Sequence, residues 1–235
     1  MKNAVDRREV IKKAGLFGAG IFASATILNQ AANAATKTPS QPQGPFYPVQ
    51  DQVDKDADMT VVSGSAQEAE GEKFVLSGTL VDATSGFPLS GALVEFWQAC
   101  ASGKYNHPQD SSTAPLDQNF QYWAQVLTTS EGKFTVKTIV PGAYPAGGGW
   151  IRPPHIHVKV HKAGYPSLTT QLYFEGNRYN AADRLLQSIP QNQHNLVIVR
   201  LEGEGDVKTA AWTIYMSKFL GVSESGRPLS TPDLE

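Results

Sequence analysis

Arg152-Pro153-Pro154-His155-Ile156-His157-Val158-Lys159-Val160-His161 reads as a β-strand entered through two prolines. Apolar and polar residues alternate with period two, which sends Ile156, Val158 and Val160 to the core face and His155, His157, Lys159 and His161 to the other. Residues i and i+2 lie about 6.6 Å apart along a strand, a spacing from which two imidazoles can converge on one ion. His161 lies about 13 Å beyond His157 and stands apart from them. Taken alone, His-x-His is also an ordinary polar strand face. The prolines favour the more specific reading, because they stiffen the entry to the strand and fix where the histidines point.

Outward from this segment the chain keeps the same chemistry. Lys73–Asp82, Leu93–Gln98, Lys133–Ile139, Leu168–Phe174 and Asn195–Leu201 are short strand-like runs separated by Gly, Pro and Asp clusters, and Trp212–Met216 is a further one. Such a series predicts an all-β fold, a β-sandwich of antiparallel or mixed sheets with long loops. Asp82–Gly91 is expected to be a hairpin connection between the first two runs. One short helix is expected over Ala181–Ile189, with Asn180 as its N-cap.

Composition agrees. With 21 Gly and 15 Pro in 235 residues, the chain suits short strands better than long helices. Twenty Lys and Arg against 22 Asp and Glu leave a net charge of −2, which offers no field for nucleic acid. The single cysteine, Cys100, excludes an intramolecular disulfide framework and any multi-cysteine metal site, so a metal here would have nitrogen and oxygen ligands.

Residues 1–34 read as an export signal: Arg7-Arg8, then an uncharged stretch with an apolar centre from Leu16 to Leu28, then Ala32-Asn33-Ala34 as a cleavage site. The centre is too short and too rich in small residues for a comfortable membrane span, so no stable membrane anchor is expected after cleavage. The adjacent arginines resemble a twin-arginine signal. That implies handling by the twin-arginine export machinery and a periplasmic or extracellular destination. Residues 35–72 read as an extended arm, in which Gly44-Pro45-Phe46-Tyr47-Pro48 is an aromatic exception suited to docking on the core. Residues 73–235 make up the β-sandwich domain.

Two histidines are too few to hold a catalytic metal, and no carboxylate lies beside them in sequence. Any further oxygen donors must come from elsewhere: two tyrosines sit in loop settings upstream, Tyr105 in Gly103-Lys104-Tyr105 and Tyr144 in Pro141-Gly142-Ala143-Tyr144-Pro145, each of which taken alone is more often a packing residue. With Gly91-Ala-Leu-Val-Glu-Phe-Trp97-Gln-Ala99, Leu116-Asp-Gln-Asn-Phe120, Arg152-Pro-Pro-His-Ile-His157 and Thr170-Gln-Leu-Tyr-Phe174, these segments in this order resemble the intradiol ring-cleavage dioxygenases, most closely their protocatechuate 3,4-dioxygenase branch. The resemblance covers about Phe74–Phe174.

The resemblance implies a β-sandwich enzyme with one non-haem Fe(III) per chain, held by Tyr105, Tyr144, His155 and His157. It implies cleavage of a small aromatic ortho-diol between its hydroxylated carbons with O2, giving a muconate-type dicarboxylate. Tyr144 would serve twice, as ligand and as acceptor of a substrate proton. Arg152 would stabilise negative charge on the ring, and Gln171 would hydrogen-bond at the pocket from behind. Two phenolates are hard anionic donors that suit a trivalent iron. A homo-oligomer is compatible with all of this.

The chain departs from the branch after Tyr144-Pro145, where Ala146 and Gly147–Gly149 replace a usual aromatic; Trp150 is the nearest candidate for that place. The helical N-terminal domain of the catechol branch is not expected either, since the mature residues before Phe74 are too few and too unpatterned to form it. Two other readings compete: a non-catalytic transthyretin-like binding module, and a Cu or Zn site on the same scaffold. Tyr105 and Tyr144 argue against the first, since a binding module has no need of them around His-x-His.

Overall fold

A computed structural model of the chain describes residues 35–218; the expected export signal lies outside the described residues. Ten strands follow in order: β1 (Lys73–Asp82), β2 (Leu93–Trp97), β3 (Trp123–Leu127), β4 (Lys133–Ile139), β5 (Tyr144–Pro145), β6 (Ile151–Arg152), β7 (His155–His161), β8 (Leu168–Phe174), β9 (Ile198–Val199) and β10 (Val207–Met216). They form a three-stranded sheet ordered β10-β1-β4, a five-stranded sheet ordered β3-β2-β7-β8-β9, and a β5-β6 ribbon. Both larger sheets are mixed, because β1 pairs with β10 and β8 with β9 in parallel. The β-sandwich expected from the sequence is the observed fold.

Alternation builds the core. Phe74, Leu76 and Leu80 of β1, Phe134 and Val136 of β4, Val94 and Phe96 of β2, and Ile156, Val158 and Val160 of β7 are all buried in one apolar cluster. Gly78 of β1 leaves room for Phe134, its partner in the ladder: a Cβ there would lie 2.0 Å from the Phe134 ring. Phe134 in turn packs on Phe96 of the other sheet, ring centroids 5.6 Å apart.

The structure corrects four local expectations. Asp82–Gly91 is not a hairpin between β1 and β2, which lie in different sheets. It folds back on the end of β1, with Leu89 N–H bonding Leu80 O, and then crosses to the other sheet. The expected helix is one turn, α1 (Arg184–Gln187), preceded by a 3-10 turn at Asn180–Ala182; its N-cap is Asp183, whose carboxylate accepts from Leu185 N–H, and not Asn180. Asn195–Leu201 contains only the two-residue β9, since Gln191–Leu196 winds as 3-10 helix. The last run begins earlier than Trp212, at Val207, because β1 pairs with it along its whole length.

Residues 35–72 contain no helix or multi-residue strand, yet they are tied to both sheets. Thr38 N–H bonds Tyr215 O of β10, and Gln41 N–H bonds Thr169 O of β8. Thr38, Gln41, Met59 and Thr60 are buried as a result. Among the described residues no helix is long and apolar enough to cross a membrane.

Candidate metal centre and active site

β7 buries both of its faces at its start. Ile156 and Val158 enter the core, while His155 and His157 lie on the outer face of the five-stranded sheet, 1% and 2% exposed. What covers them is a second aromatic cluster, in which Trp97, Tyr105 and Trp123 pack with Phe46, Tyr47 and Tyr144. Trp97, across from His157 in the ladder, stacks its ring on the imidazole at 4.9 Å and 10°. Phe46 lies 4.6 Å from the Tyr105 ring, and Gly44 passes so close that a Cβ would sit 3.2 Å from His157 Cε1. The arm thereby roofs the site. His161 is elsewhere, paired with Glu95 at 3.2 Å.

The four proposed ligands are together. Tyr105 Oη is 3.1 Å from His157 Nε2 and 3.4 Å from His155 Nε2. Tyr144 places its ring 5.6 Å from both Tyr105 and His155. His155 Nδ1 donates to Pro153 O at 2.7 Å, which fixes its tautomer and leaves the Nε2 lone pair facing the phenol. His157 Nδ1 is buried without a partner.

Burial, helped by the Arg152 charge, lowers both imidazoles: His155 falls well below the usual range and His157 drops to about 3. Both are therefore neutral donors at pH 7. One phenol hydroxyl has one proton, so it cannot satisfy two imidazole nitrogens. A cation among these groups would satisfy all of them, and two neutral imidazoles with two ionisable phenols match the donor set expected for ferric iron. Without it, burial raises both tyrosines, Tyr105 strongly, so the phenols stay protonated. No group of three or more His, Cys, Asp and Glu suited to a metal occurs among the described residues.

A cavity of about 750 Å³ opens beside the cluster, lined among others by Phe46, Tyr144, Trp150, Arg152 and Leu185. Tyr144 and Arg152 line it; Tyr105 and the histidines lie behind. Trp150 lines the cavity, held 5.3 Å from the Arg152 guanidinium and 5.2 Å from that of Arg184. Arg152 is 5% exposed and bound on two sides. Its Nε donates to Asp183 Oδ2 at 3.3 Å, and its Nη2 donates to Gln171 Oε1 at 2.5 Å and to Tyr173 Oη at 3.3 Å. Gln171 is fully buried and meets the site through Arg152, its own amide donating to Pro42 O of the arm.

Sequence reasoning missed Asp183 and Gln41. Gln41 Oε1 accepts from Tyr173 Oη at 2.8 Å and so joins the same network from the arm. Neither carries a local signal, although Asp-Arg-Leu-Leu has the look of an N-cap before an apolar turn.

The Dioxygenase family model matches residues 43–217. The chain belongs to the intradiol ring-cleavage dioxygenase family. It is 38% identical over 160 residues to the protocatechuate 3,4-dioxygenase beta chain of Burkholderia cepacia, covering 66% of this chain and 67% of that one. It is 29% identical over 178 residues to a chlorocatechol 1,2-dioxygenase of Pseudomonas sp. (strain P51), covering 69% of this chain and 65% of that one. The chain thus spans about two thirds of these relatives. Among solved structures, 3-chlorocatechol 1,2-dioxygenase from Rhodococcus opacus 1CP superposes with a TM-score of 0.62 at 27% identity, over 80% of this chain and 76% of that one. The dioxygenase family thus includes the site-bearing sandwich together with the arm from residue 43 onward.

Proposed function

We propose that this dioxygenase is an exported Fe(III) enzyme that cleaves a catechol-type ortho-diol between its two hydroxylated carbons, using O2 and giving a muconate-type dicarboxylate. The observation that carries the reading is the division of labour at the cavity wall: Tyr144 and Arg152 line the cavity, with Tyr105, His155 and His157 buried behind them. The chemistry that ferric iron supplies when bound is activation of the diol, as catecholate, toward O2. Tyr105, Tyr144, His155 and His157 would hold it.

Tyr144 is the phenol within reach of a ligand in the cavity, so it is the group able to take a proton from a diol hydroxyl. Arg152 is held on its Nε and Nη2 sides, and Nη1 bonds no described residue. That edge is free to stabilise negative charge gathering on the ring. Phe46, Trp150 and Leu185 give the cavity apolar walls that suit an aromatic ring, beside a polar side made by Gln109–Thr113. Arg7-Arg8 and Ala32-Asn33-Ala34 support export by the twin-arginine route.

The test is incubation of purified, iron-loaded protein with catechol, protocatechuate and substituted catechols under air. One O2 should be consumed per diol, without added reductant, and the product should be the intradiol acid. Arg152→Ala should keep its iron and turn over on the order of 10² slower. Cleavage outside the diol, or full activity of Arg152→Ala, overturns the proposal.

A further inference from the structure

The Arg152–Asp183 pair is the one ion pair among the described residues in which both side chains are buried, 6% and 0% exposed. Such a pair is not retained cheaply, since each charge gives up its hydration. A surface ion pair would have served stability as well. The geometry shows what it does instead. Asp183 sits at the start of α1 and divides its two oxygens: Oδ1 accepts from Leu185 N–H at 3.0 Å, while Oδ2 accepts from Arg152 Nε at 3.3 Å. The cap fixes the carboxylate, and the carboxylate fixes the arginine. Gln171 and Tyr173 hold Nη2 while Asp183 is the one partner of Nε among the described residues, so the guanidinium plane is pinned at two corners and Asp183 supplies the charged one.

We propose that Asp183 is a positioning residue for ring cleavage: it orients Arg152 so that the Nη1 edge meets the diol ring. This rests on the reading of Arg152 as the charge-stabilising group. An arginine whose fork is anchored at Nε presents its remaining N–H groups in a fixed plane, and preorganised donors lose little reorganisation energy during reaction. Leu185, the residue capped by Asp183, lines the cavity itself, so one carboxylate also ties a wall of the cavity to its cation.

Asp183→Asn isolates this role. Asparagine caps helices as well as aspartate does, so α1 should persist. It has one acceptor oxygen, however, and using that oxygen for Leu185 N–H turns an N–H2 group toward the guanidinium. Asp183→Ser is a second cap-preserving variant with no charge. Iron content, KM and kcat are measured for both, alone and combined with Arg152→Ala.

The expected result is retained iron, KM within about threefold of the parent, and kcat lower by about tenfold or more. In the Arg152→Ala background the same change should cost less than about twofold, because a residue that acts through Arg152 has nothing left to orient. A merely structural role predicts equal losses in both backgrounds. Equal losses, or a full kcat in either soluble variant, overturns the proposal. A different failure belongs to the underlying reading: parent protein inert toward every ortho-diol, or Arg152→Ala as fast as the parent.

Discussion

Tyr144 and Arg152 are direct partners across the β5–β6 ribbon, so the phenol and the cation that line the cavity ride on a single two-rung ladder. The ribbon closes through Ala146–Trp150, with Ala146 N–H bonding Trp150 O and Trp150 N–H bonding Gly147 O. Gly147, Gly148 and Gly149 all adopt positive φ, a run that other residues would strain to follow. Their tip is open: a Cβ at any of the three meets nothing within 4 Å. The three glycines therefore set the turn and leave Trp150, just beyond them, at the cavity wall.

Gly103 is the packed counterpart of that open tip. At φ +86 a Cβ there would meet Ala143 O at 2.7 Å and Tyr144 Cβ at 3.3 Å. Gly103→Ala should displace Tyr144 and lower kcat by about a hundredfold, the usual effect of misplacing a reacting group by an ångström. Gly148→Ala should cost only backbone strain, roughly 1 kcal/mol, and a few degrees of Tm with kcat little changed. Steady-state kinetics beside thermal melts separate the two; equal kinetic losses would count against the assigned contact.

Both tyrosines are predicted to shape a visible charge-transfer band of the iron-loaded protein. Tyr105→Phe and Tyr144→Phe should each shift or weaken it, and they should differ in turnover. Tyr144→Phe removes the hydroxyl at the cavity wall and should lose activity more steeply than its loss of iron explains. Absorption spectra and iron analysis on matched samples decide this; a parent protein that carries iron yet is colourless would refute it.

The histidines predict an acid-labile metal-free protein. Their pKa values are depressed in the folded state, so below about pH 6.5 the unfolded chain binds protons that the folded chain refuses. Stability from this source is complete above pH 7 and declines as pH falls toward 3. For His157 alone the loss by pH 5 is about 2 kcal/mol. Urea midpoints of metal-free protein should fall between pH 7 and 5, and His157→Gln should flatten the slope.

Export is predicted to depend on the arginine pair. Replacing Arg7 and Arg8 with lysine should leave folded precursor in the cytoplasm, read by fractionation and blotting. An unchanged periplasmic yield contradicts the assignment.

Much of this was legible in the chain. Lys73–Asp82, Lys133–Ile139, His155–His161 and Leu168–Phe174 form strands with those very bounds, since each is β-rich and bounded by turn residues. Trp123–Leu127 was not legible. Trp123 and Ala124 are both buried while Leu127 is 68% exposed, so alternation fails there. At the site, the four proposed ligands and Arg152 belong to short motifs. Asp183 and Gln41 reach it from remote turns, Gln41 across 132 positions to Tyr173, and only tertiary folding brings them in.

The parallel pairing of β1 with β10 sets an order of events for the growing chain. β1 leaves the ribosome early, with β4 as its one available neighbour, and waits for almost the last described segment before its other edge is covered. Thr38, which bonds Tyr215, waits with it. Contacts this distant in sequence close slowly, and an uncovered edge is a hazard while it lasts. A chain stopped short of Val207 would leave β1 without its second partner and Thr38 of the arm without Tyr215.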